Sequence, residues 1–88
     1  MTVFVVIAQE GSDLAKLPAA LDACFPNAVY KLDENAWLVP FKGSAEDLSD
    51  KLGVTTGANG GAVILEVASY FGRANPNIWA WIKANWEA

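Results

Sequence analysis

Histidine is absent from this sequence, and cysteine and methionine occur once each. Without imidazole there is neither a Ser-His nor a Cys-His nucleophile pair, and no side chain whose ordinary pKa lies near neutrality. A metal site is not expected either, since His and clustered Cys are the usual zinc ligands. The lone Cys24 excludes an intramolecular disulfide and fits a reducing, cytoplasmic setting. Positive charge is also sparse, with six Lys/Arg against ten Asp/Glu and a net charge of −4. Lys16, Lys31, Lys42, Lys51, Arg73 and Lys83 are scattered singly. Binding to a phosphate backbone needs clustered cations that release counterions, so nucleic acid is not an expected partner. Long hydrophobic runs are missing too. The first, Val3 to Ala8, is too short for a signal-peptide core or a membrane span.

What the chain has in excess is tryptophan at one end. Three of its four tryptophans, Trp79, Trp81 and Trp86, fall in the last ten residues. A terminal segment usually frays, and one this aromatic must dock on something. The 88 residues, 53% of them hydrophobic, make a single domain spanning 1–88. A monomer of this size hides only roughly 60–65% of the surface its unfolded chain exposes, so a partner's added burial matters.

Thr2–Ala8 is β-branched and aromatic without alternation, the pattern of a central strand covered on both faces. After a polar break at 9–13, Leu14, Leu17, Leu21 and Phe25 recur at helical spacing. Pro18 suits the first turn of that helix, which is expected from about Leu17 to Phe25. Ala28 to Leu32 and Ala36 to Phe41 read as strands joined by the turn Asp33-Glu34-Asn35. Ser44 is an expected N-cap, with Asp47 in the N3 place of a capping box and Gly53 as the stop. Ala62 to Tyr70 reads as a fourth strand. Glu66 among its apolar residues marks it as an edge. Asn75 caps a last helix with Pro76 at N1.

The order β-α-β-β-α-β plus a C-terminal helix is the split βαβ, ferredoxin-like pattern, an α+β antiparallel sheet with two helices on one face. Its first and third strands are central. Val3, Val5 and Ile7 lie on one side of the first strand and Phe4, Val6 and Ala8 on the other. Trp37, Val39 and Phe41 oppose Leu38 on the third. Neither face suits water, and the tryptophan helix is the element left to cover the open one. Ile78, Trp79, Ile82 and Trp86 form a stripe about 100° wide, each side chain worth roughly 1.5–3 kcal/mol on burial. Trp81 lies off the stripe, at the edge of the contact or against a second chain. Trp79, Trp81, Ile82 and Trp86 are the expected interface residues.

The first strand, Ala36-Trp37-Leu38-Val39 leading to Ser44-Ala45-Glu46-Asp47-Leu48, and Trp79-Ala80-Trp81-Ile82-Lys83 together resemble the small ferredoxin-like proteins related to the CRISPR-associated adaptation nuclease and the VapD-type toxins. The likeness is nearest to the short SinR family. It covers most of the chain and implies a homodimer formed through the open sheet face. The nucleases of that group end their first strand on a metal-holding aspartate. This chain has Ala8-Gln9-Glu10 there, and an amide cannot replace a carboxylate for a hard divalent cation.

The remaining polar residues have structural explanations beside their chemical ones. Cys24 falls late in a helix, where the dipole disfavours a thiolate. Asp33-Glu34 is a turn, and Glu46, Asp47 and Asp50 form a helix start. The Gly-rich loop 53–61 could cradle an anion with Thr55, Thr56 and Asn59 as donors, although it lacks the Lys-Ser/Thr of a P-loop. Arg73 could fork a carboxylate or phosphate. The expectation is a non-catalytic interaction module without a cofactor, paired with itself, with another protein as the alternative partner and no membrane. The alternatives are a degenerate nuclease-like protein using Glu10 on RNA or DNA, and a sensor of small anionic ligands built on the loop and Arg73.

Overall fold

The β-branched run at residues 2–8 becomes β1 (Thr2–Ala8), and it takes the inner position that two apolar faces demand. In the computed structural model, which describes residues 2–9 and 16–86, α1 (Lys16–Cys24), β2 (Tyr30–Asp33), β3 (Ala36–Phe41), α2 (Ala45–Leu52), β4 (Ala62–Glu66) and α3 (Pro76–Asn85) follow. The strands form one antiparallel sheet in the order β2-β3-β1-β4. This is the ferredoxin-like βαββαβ arrangement with an added C-terminal helix. As expected from Glu66, β4 is an edge.

Register sorts the side chains into two cores. Phe4 pairs with Val39 and Val6 with Trp37, and these side chains share the face that α1 and α2 cover. Leu17 and Leu21 descend from α1, Leu48 and Leu52 from α2, each no more than 2% exposed. Val5 pairs with Leu38 on the opposite face, where Val3, Leu38 and Ile82 form the second, smaller core. Each sheet face therefore carries its own hydrophobic cluster, because side chains alternate along a strand.

Three elements are bounded differently from the expectation: α1 and β2 at both ends, and β4 at its last residues. Helix α1 begins at Lys16 and ends at Cys24, although the Phe25 amide still donates to the Leu21 carbonyl at 2.8 Å. Strand β2 starts at Tyr30 rather than Ala28. Asn27 adopts a positive φ of 58° and the Ala28 amide bonds Phe25 O at 3.1 Å, so the turn consumes those residues first. Strand β4 stops at Glu66 rather than running to Tyr70. The Val67 amide makes a last ladder bond to Val3 O, and by the register Ala68 stands opposite Thr2, the first residue of β1. Strand partners run out, and the chain continues as a strap, residues 67–75, toward α3.

The start of α2 is closed by the expected reciprocal pair. Ser44 Oγ accepts from the Asp47 amide and Asp47 Oδ2 accepts from the Ser44 amide, both at 3.1 Å. At the other end Gly53 takes the left-handed conformation, φ 73°, and donates its amide back to the last turn. The Ser44 backbone N–H first, and its hydroxyl second, hold the Asp47 carboxyl below its ordinary value of 3.8 despite slight desolvation. A depressed carboxylate contributes stability that is present above the unfolded value and lost as pH falls through the folded one. Ser44→Ala is expected to cost about 1 kcal/mol at neutral pH. The stability gap between wild type and Asp47→Asn should shrink as pH drops below about 4. Urea denaturation at pH 6 and at pH 3 measures both.

Candidate functional site

Helix α3 begins where Asn75 Oδ1 accepts the Asn77 amide at 2.9 Å and Pro76 fills N1, a position whose amide needs no partner. Its apolar stripe lies on the sheet face opposite α1 and α2. Ile82, 4% exposed, packs with Val3 and Leu38, and Ile78, Trp79 and Trp86 pack around them. Trp81 reaches over the β2 edge, its ring 6.1 Å from that of Tyr30 and tilted by 53°. Within the chain, Trp81 lies at the edge of the contact that α3 makes with the sheet. The strap is clamped to the helix by Tyr70, which stacks on Trp79 at 6.0 Å and meets Trp86 edge-on at 5.0 Å.

One helix cannot cover this sheet. Four strands about 4.8 Å apart present a face nearly 20 Å wide, whereas a helix with its side chains is about 10 Å across. Because α3 packs against β1 and β2, the β4 side stays open. Leu65 is 51% exposed and Val63 is 41% exposed, beside Val5 and Ile7 on the same face. Leu32 and Tyr70 are similarly open, and Phe71 is fully exposed. Between α3, the strap and the sheet runs an apolar groove of about 290 Å³, lined among others by Val3, Val5, Leu38, Ala74, Ile78 and Trp79. Beside it Tyr70, Phe71, Gly72 and Trp79 line a second hollow.

The polar residues proposed from the sequence do not converge on this face. Thr55 Oγ1 donates to Asp50 Oδ1 at 2.6 Å and lies 2.7 Å from Ser49 Oγ. A hydroxyl carries one proton, so Ser49 is the donor of that second bond. Thr56 Oγ1 accepts the Ala58 amide, and Asn59 Nδ2 donates to Leu52 O at 2.7 Å. These bonds fold the loop onto the end of α2 and set the Asp50 carboxylate beside Thr55. Arg73 is exposed on the strap, where among the described residues it makes no hydrogen bond or ion pair. The loop joins β4 at Ala62 and the strap leaves it at Glu66, so the length of β4, about 15 Å, separates the two.

Cys24 is half-buried at the end of α1, its Sγ 3.8 Å from Lys51 O. Among the described residues no three His, Cys, Asp or Glu side chains gather as a metal could require, and no helix is long and apolar enough to cross a membrane. Glu10 lies outside the described residues.

Phe71, one residue past the expected end of the fourth strand at Tyr70, is a site residue that the sequence alone does not single out. The one signal was that apolar and aromatic residues continue past Glu66, further than the partner strand can follow. No protein-family model matches this chain, and comparison with curated proteins and with solved structures gave no match.

Deleting residues 75–88 uncovers Val3 and Leu38, and the shortened chain is expected to aggregate in light scattering. A truncated chain that stays monodisperse with native circular dichroism contradicts the role given to α3. Ile82→Ala should cost about 2–4 kcal/mol in urea unfolding, whereas Arg73→Ala should stay within about 0.5 kcal/mol.

Proposed function

We propose that this protein is a non-catalytic interaction module of the cytoplasm that pairs with a second copy of itself through the half-covered sheet face and α3. The observation that carries the reading is the flank that α3 leaves open: Val63 and Leu65 are exposed on the sheet face that carries the apolar groove, and Phe71 is exposed on the strap that borders it. Scattered exposed apolar residues are normal, but a contiguous patch marks an interaction site.

The open face imposes no like-charge penalty on a second copy. The protein is acidic, net −4, so two copies repel unless they meet through a neutral surface. Val5, Ile7, Val63, Leu65, Val67 and Phe71 carry no charge, and Glu66 points to the other side of the sheet by its register. The proposed kinship with the SinR family implies pairing through the same face.

Sedimentation velocity on the full chain at 10–100 µM (about the range in which small modules pair) should give a species of twice 9.4 kDa. Leu65→Glu places a charge where the monomer tolerates it but the paired face does not, and should return a monomer with an unchanged melting temperature. A clean 9.4 kDa species from the wild-type chain throughout that range rules the reading out.

A further inference from the structure

The proposed pairing leaves open what holds two copies in register, and the strap supplies an answer. Phe71 is 102% exposed, the most exposed large apolar residue on the described surface. Leaving it in water forgoes the 150–250 Å² that an aromatic side chain ordinarily buries. It is also held in place. Tyr70 on one side is clamped between Trp79 and Trp86. Gly72 on the other has φ +153°, a value side-chain-bearing residues rarely adopt, and a Cβ placed there would reach the Trp79 ring at ordinary van der Waals distance. With its neighbours tied to α3, Phe71 stands out from the strap.

Next to this projecting ring lies the apolar groove under α3. Its volume, about 290 Å³, exceeds the roughly 150 Å³ that suffices for a benzene molecule in an apolar cavity. Phe71 does not line it, so the ring and the groove are separate features of one face. A knob and a hole side by side on one surface are self-complementary under a two-fold axis, because each copy then offers its knob to the other's hole.

We infer that Phe71 of each copy inserts into the groove of the other, between α3 and the sheet, as the reciprocal anchor of the homodimer. This rests on the pairing proposed above. The exchange fills both grooves and buries both phenyl rings, with Leu65 and Val63 covered inside the same contact. It also assigns a role to α3 beyond covering the sheet: Ile78, Trp79 and Ala74 form the wall that receives the partner's ring.

The test compares self-association of the full-length wild-type chain, Phe71→Ala and Ala74→Trp by sedimentation equilibrium, with circular dichroism melting as the fold check. Phe71→Ala removes the knob and keeps the groove. Ala74→Trp fills the groove and keeps the knob. Each is expected to raise the dimer dissociation constant on the order of a hundredfold or more, since an anchoring aromatic is lost from both halves. Mixed together, they should form a heterodimer tighter than either variant's homodimer, because one knob and one open groove then meet. A merely structural role for either residue would not produce that rescue. A dimeric wild type whose association is unchanged in Phe71→Ala, or variants that show no preference for each other, overturns the anchor while leaving the paired face standing. A wild type that is monomeric at about 100 µM overturns both.

Discussion

A central strand with two apolar faces is the constraint on which the rest of this molecule depends. Val3 and Val5 point one way and Phe4 and Val6 the other, and a strand cannot hide both from water without a layer on each side. Two short amphipathic helices satisfy the first face completely. The second has only α3, and a single helix is about half as wide as the sheet it must cover. The crowded tryptophans, the clamp of Tyr70 and the open flank at β4 all follow from that mismatch in width.

The polar chemistry, by contrast, is consumed locally. Capping groups close both ends of α2, the side chains of Thr55, Thr56 and Asn59 fold the loop that follows it, and Asn85 returns a bond to Trp81 O. Among the described residues no buried side-chain polar atom lacks a partner. Polar groups that satisfy one another have little left for a ligand, since recognition needs donors and acceptors held open toward it. Apolar surface stays open as well, at Val63, Leu65 and Phe71.

Local signals carried much of the fold. The caps Ser44 and Asn75, the stop at Gly53, the hairpin around Glu34 and the two-sided apolar runs of β1 and β3 each depend on a few neighbouring residues, and each reads correctly from the chain. The largest error falls where a distant partner decides. The end of β4 is set by where β1 begins, whereas the start of β2 is set nearby, by how far the turn after α1 winds. The candidate site shows the same division. The stripe Ile78, Trp79, Ile82 and Trp86 was legible as a docking face because helical periodicity is local. Phe71 was not, because its exposure depends on Tyr70 being drawn to Trp79 and Trp86, three rings brought together only when α3 docks.

Composition and periodicity act over a few residues at a time, and they suffice for the seven elements, their antiparallel ferredoxin-like order and the need for a cover on the second sheet face. How far that cover extends is settled by packing between distant parts of the chain. Where α3 lands depends on the summed packing of Ile82 and three tryptophans against Val3, Leu38 and Tyr30, contacts between residues far apart in the chain. Its landing over β1 and β2 leaves the flank at β4 open, and that open flank is the feature from which a functional reading starts.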